Sequence, residues 1–159
     1  MLITYTMGAT EKSMDDGYEL VFTYGVKGNR TDPVNRLDTR RGTFTKDMVM
    51  NPPVTFRLTL NESAMNRIIQ KAEEIGLQSY PRNYKPPKGA VQGFVTPYTT
   101  YDLKLYRDGV LVKHVRMDTD AYSQDPETMR LKELFKLIID TVQATESYRR
   151  SPKPRGGYI

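Results

Sequence analysis

Between Val54 and Gly76 the hydrophobic period of the chain changes, and this change constrains the fold more than any other stretch. Val54 to Leu60, VTFRLTL, sets Val54, Phe56, Leu58 and Leu60 on one face and Thr55, Arg57 and Thr59 on the other. That alternation is the pattern of a half-buried strand. Asn61 then offers an N-cap, and Glu62 lies in the first turn, where the helix dipole favours an acid. Met65, Ile68, Ile69, Ala72 and Ile75 form one apolar stripe at helical spacing, and Gly76 suits a left-handed stop. A strand that runs straight into an amphipathic helix must bury both apolar faces against each other or against further strands.

Further strands are available. Tyr18 to Gly25, YELVFTYG, alternates Tyr18, Leu20, Phe22 and Tyr24 against Glu19, Val21 and Thr23. The stretch LDTRRGTFTKD, from Leu37 to Asp47, reads as a polar turn leading into a strand at Gly42 to Lys46. There Gly42 allows a bend or bulge, and Phe44 offers a core contact. Asn51-Pro52-Pro53 precedes the Val54 strand with two residues that cannot donate to a ladder. Thr99 to Tyr106 and Val110 to Met117 flank Asp108-Gly109, a strong signal for a two-residue hairpin turn. A plain two-residue register places Tyr101, Leu103 and Leu105 on the same face as Val110 and Val112, with His114 opposite Leu103.

The last helix opens with Asp125 as its cap and Pro126 at its first position, and its stripe is Leu131, Leu134, Phe135, Ile138 and Val142. The expected architecture is α+β: a mainly antiparallel sheet of about five strands with two helices on one face, in the order β-β-β-α-β-β-α. Residues 1–17 read as a flexible segment or edge strand, 18–148 as a single domain, and 149–159 as a basic Pro/Gly-rich tail. At 159 residues the chain is long enough for one ordinary core.

Composition closes off several chemistries. Cysteine is absent, which removes disulfides, thiolate metal sites and thiol nucleophiles. A Ser-His-Asp triad would depend on His114, the only histidine, in mid-strand where a partly buried structural role is expected. Asp118-Thr-Asp120 starts like a calcium loop, yet Tyr122, Ser123 and Met129 stand where an EF-hand needs an oxygen ligand, a glycine and a glutamate. No GxxxxGK[ST] or GxGxxG is present, so nucleotide cradles lack support. Asp38-Thr-Arg40 lacks the glycine of an aspartic-protease motif. No catalytic residue, metal ligand or cofactor is expected, and a hydrolase would need a carboxylate pair that no motif marks. No run reaches the roughly 18 apolar residues of a membrane helix. MLITYTMGATEKSMDD has no basic leader before an apolar core and does not read as a signal peptide.

The net charge is +5, unevenly placed. No acid occurs from Gln78 to Tyr101, and Arg149 to Arg155 adds four cations. The long segment from Gln78 to Tyr98 interleaves Tyr80, Arg82, Tyr84, Lys85, Lys88, Phe94 and Tyr98. Cations beside aromatics suit an anionic polymer, a protein partner or single-stranded nucleic acid. The same residues equally suit a loop that folds back over the sheet with its tyrosines half buried.

Three stretches, LDTRRGTFTKDMVMNPPVTFRLTLNESAMNRIIQKAEEIG, TTYDLKLYRDG and SYRRSPKPRGGYI, carry a resemblance. They resemble small exported or lipoprotein-type domains of Gram-positive bacteria, a family of unknown function, over roughly residues 18–159. The resemblance implies an extracellular or cell-envelope location, which the missing leader and lipid-bearing cysteine do not themselves announce. Together these readings give a non-enzymatic binding module of the envelope. Its expected face is the 79–98 loop with Arg40, Arg41 and the basic tail, meeting an anionic or proteinaceous partner. Nucleic-acid binding through the tyrosine-rich loop is the alternative.

Overall fold

The computed structural model describes residues 17–27, 35–87, 98–119 and 123–154. Among these residues seven strands form one sheet: β1 (Tyr18–Lys27), β2 (Asn35–Asp38), β3 (Thr43–Met48), β4 (Asn51–Arg57), β5 (Asn83–Tyr84), β6 (Tyr98–Arg107) and β7 (Val110–Thr119). Their spatial order is β4-β3-β2-β1-β6-β7-β5. Every pairing is antiparallel except the short parallel contact of β5 with β7. The helices are α1 (Glu62–Glu74), α2 (Pro126–Gln143) and a short α3 (Glu146–Arg150). The α+β class and mostly antiparallel sheet match expectation; the counts of five strands and two helices do not.

The two unexpected strands have a common cause. β2 carries one apolar residue among four, so it has no alternation of its own. Leu37 nevertheless lies fully buried, paired with Phe22 on one side and Phe44 on the other. Two long neighbours impose the strand. β5 is only Asn83 and Tyr84, held where Arg116 donates its N–H to the Arg82 carbonyl at 2.7 Å.

One face of the sheet presents Leu20, Phe22, Leu37, Phe44, Leu103, Leu105, Val115 and Met117 to α1 and α2. The stripes expected for the helices are the residues that bury: Met65, Ile68, Ile69, Ala72 and Ile75 from the α1 segment, and Leu131, Leu134, Phe135, Ile138 and Val142 from α2. Phe135 stacks on Phe22 and Tyr101, with ring centroids 5.3 and 4.8 Å away. Among the described residues, no helix is long and apolar enough to cross a membrane.

Both helix caps form as the sequence implies. Asn61 Oδ1 accepts from Ala64 N at 2.8 Å, and Asp125 Oδ2 accepts from Thr128 N at 3.1 Å. Hydrogen bonds from Thr128, its hydroxyl first, hold the Asp125 carboxyl below its usual range. Asp125→Ala should therefore cost about 1 kcal/mol at neutral pH, the usual worth of a lost cap. A depressed carboxyl stabilises the fold above the unfolded pKa near ~4, and the contribution disappears as pH falls through the lower folded value. Urea titrations of both proteins should accordingly differ at pH 7 and converge in strong acid. An equal gap at both pH values would show that the charge on Asp125 contributes nothing.

The β6–β7 hairpin departs from the simple register. Asp108 and Gly109 both take positive φ, as a type I′ turn requires. A bulge then intervenes: Tyr106 pairs with Leu111, but Leu105 pairs with Lys113, leaving Val112 as the extra residue. One inserted residue reverses which face every later side chain meets. Val115 and Met117 therefore join the core opposite Leu103 and Tyr101, while Val110, Leu111 and Val112 stay exposed. His114, expected opposite Leu103, instead pairs with Lys104 on the face away from the helices.

The described C-terminal residues lie against the sheet. Arg149 and Arg150, expected to begin a tail, complete α3. Lys46, buried on the helix side, donates through Nζ to Ser151 Oγ at 2.9 Å and the Pro152 carbonyl at 2.7 Å. The same ammonium lies 4.3 Å from the centre of the Tyr148 ring. The N-terminal segment to residue 16, the turn cluster near Gly28 to Pro33 and Asp120 lie outside the described residues, while Asp118 and Thr119 end β7.

Candidate binding surface on the open face of the sheet

The residues expected to form a binding loop divide into two groups. Tyr80 and Tyr84 are core residues, 6% and 8% exposed. The Tyr80 hydroxyl donates to the Glu127 carbonyl at 2.6 Å, and the Tyr84 hydroxyl shares a 2.9 Å hydrogen bond with Thr128 Oγ1. Their rings meet edge to face at 5.2 Å. Burial raises the pKa of both phenols. They fasten the segment after α1 to the first turn of α2, so they offer no exposed stacking platform. The reason is amphipathic chemistry: each ring fills core space while its hydroxyl satisfies a polar group at the helix start.

Arg82 and Lys85 are exposed beside β5. Lys88 and Phe94 lie outside the described residues, as does the side chain of Tyr98, which opens β6 opposite Lys27. Arg40 and Arg41 occupy the β2–β3 turn. Their backbone N–H groups donate to Asp38 Oδ1 at 3.0 and 3.1 Å, and the Arg40 guanidinium lies 4.1 Å above the Tyr106 ring. Four strand steps separate β2 from β5. At about 4.8 Å a step that is on the order of 19 Å, so Arg40 and Arg41 do not join Arg82 and Lys85 in one small site.

A different group of cations shares a surface. The ladder partners place Thr23, Arg36, Asp38, Thr43, Thr45, Thr55, Arg57, Asp102, Lys104, His114 and Arg116 on the face away from the helices. No described helix covers this face. At Asp38 and Asp102 the carboxylates are recessed and engaged while guanidiniums project; Glu19, half-buried, and Asp118, exposed at the end of β7, lie on the same face. The Asp38 side chain is 7% exposed and faces Arg36 at 3.7 Å and Arg41 at 3.9 Å; those two arginines are 50% and 82% exposed. Asp102, 17% exposed, takes His114 Nε2 at 3.0 Å and Arg116 Nη1 at 3.8 Å. Arg57 is exposed on the outermost strand.

Around Asp38 and Asp102, solvent therefore meets positive charge and threonine hydroxyls over carboxylates that fix the cations. Such a surface attracts and orients anions along its length. The outward position of Arg57 was legible in the alternation of VTFRLTL. That of Arg116 was not, because the bulge reverses its face.

Among the described residues, no three histidine or acidic side chains converge to hold a metal ion. Asp38 and Asp102 on the open face accept from backbone N–H groups, histidine or arginine, as given above. No protein-family model matches the chain, and a search of curated proteins returns no match.

Proposed function

We propose that the chain is a non-enzymatic binding module of the bacterial cell envelope, and that its partner is an anionic polymer lying across the open face of the sheet. One observation carries this reading: Asp38 and Asp102 of that face are sunk and paired while Arg36, Arg41 and Arg57 reach solvent. The envelope location rests on the sequence resemblance. Relative to the sequence expectation, the contact surface moves from the tyrosine-rich loop to the strands β2, β3, β4, β6 and β7.

The test compares two charge reversals of equal size on an immobilised anionic wall polymer. Replacing Arg41, Arg57 and Lys104 with Glu should weaken retention about tenfold or more, equivalent to at least ~1.4 kcal/mol. Replacing Arg82, Lys85 and Lys88 with Glu should have a smaller effect. Equal losses would return the site to the loop, and no loss in either would remove the proposal. Tighter retention of single-stranded DNA than of wall polymer at the same salt would favour nucleic acid instead.

A further inference from the structure

We infer that the free edge of β4 accepts a short acidic peptide as an added strand. β4 ends the sheet, and its residues are exposed or half-buried throughout. Leu58 donates its N–H to the Gly42 carbonyl at 2.9 Å, so it points inward to β3. Backbone groups alternate direction along a strand, which sends the N–H and C=O of Thr55 and Arg57 outward. The Thr45–Thr55 contact agrees: their hydroxyls lie 2.9 Å apart, the close approach of a pair that exchanges no ladder bonds. Pro53 adds an outward carbonyl but no donor.

A groove of about 420 Å³ runs along this edge. Its sheet wall is Val54, Thr55, Phe56 and Arg57; its far wall is α3 and the segment after it, including Arg150 and Pro152. An added strand would gain the Thr55 and Arg57 backbone bonds on one side and place alternate side chains against Phe56 and Pro152. Arg57 and Arg150 choose the occupant; Arg150 Nη2 also meets Glu146 at 2.6 Å, an exposed pair of little strength that an incoming carboxylate can share. The two arginines favour acidic residues, and they oppose a second copy of the chain, since two β4 edges brought together would face arginine with arginine. Pro52 and Pro53 limit the length, because the edge before Pro53 cannot donate.

This site is separate from the open face, although Arg57 borders both. The probe is a short synthetic peptide alternating Glu and Val, with a Lys and Val peptide as its counterpart. Binding of the acidic peptide should slow hydrogen exchange at the Thr55 and Arg57 amides. Thr55→Pro removes the outward N–H without breaking a backbone bond to β3, losing only the hydroxyl contact with Thr45, and should weaken binding at least about tenfold. Arg150→Glu, which leaves the β4 backbone untouched, should weaken the acidic peptide and spare the basic one. The inference is overturned by acidic-peptide binding that survives Thr55→Pro, by equal affinity for the basic peptide, or by a concentration-dependent dimer that protects the same amides with no peptide present.

Discussion

Phe135→Ala should lower the stability of the fold by about 3–5 kcal/mol, a large share of the roughly 5–15 kcal/mol of a domain this size. Phe135 is 1% exposed and lies where α2 crosses the centre of the sheet. Its ring stacks on Phe22 and Tyr101, and Phe22 in turn stacks on Tyr24 at 5.3 Å. Truncation removes the shared partner of two central strands, β1 and β6, and leaves a cavity that stiff aromatic neighbours fill poorly. Phe135→Leu, closer in volume, should cost less than about 1.5 kcal/mol if the site repacks. Urea unfolding measures both. A loss below ~1 kcal/mol for the alanine variant would mean that α2 does not seat on β1 and β6.

Alkali should unfold the protein before its buried tyrosines ionise. Tyr24, Tyr80, Tyr84, Tyr101 and Tyr148 all have raised pKa values, with burial the leading cause at each. The sign follows from linkage. The unfolded chain releases these protons near pH ~10 while the folded chain still holds them, so the stabilisation is complete below that pH and is lost as pH rises beyond it. Lys46 works in the opposite sense. Burial first, then the charge of Lys153, lowers its pKa, so the folded state gains between that value and the ordinary lysine range. One such group stands against five.

The urea midpoint should therefore hold steady to about pH 10 and then fall steeply. Tyrosinate absorbance should remain incomplete until the fold is lost. Tyr24→Phe, which keeps the ring and removes the ionisable group, should shift the alkaline midpoint upward. Full tyrosinate formation near pH ~10 with the fold intact would show that these rings are not buried.

Several elements needed no tertiary information. The Asn61 cap, the α1 stripe and the Asp125-Pro126 helix start rest on interactions within a few residues, and each forms in the structure; the strand expected over Val54–Leu60 forms three residues earlier, at Asn51–Arg57, with Pro52 and Pro53 inside it. β2 was hidden because Asn35–Asp38 has no pattern of its own, only Leu37 at the right distance from Phe22 and Phe44. Tyr80 and Tyr84 were ambiguous for a related reason. A tyrosine in a proline-rich loop can stack on a ligand or fill a core, and the Thr128 hydroxyl and Glu127 carbonyl that hold these two are more than forty residues away.

The site was least legible where one residue changes parity. Asp108-Gly109 determines that β6 and β7 form a hairpin, and the sequence alone establishes that much. Which face His114 and Arg116 occupy depends on the extra residue at Val112, and the bulge answers to the whole sheet: Val115 and Met117 must reach the core opposite Leu103 and Tyr101. Burying those two side chains outweighs the regular register, at the expense of leaving Val110, Leu111 and Val112 in water. The sequence by itself determined an α+β chain with one apolar face per element, because period and capping are local. Only the tertiary structure decided which cations share the open face, because strand order and register are set by burial across the sheet.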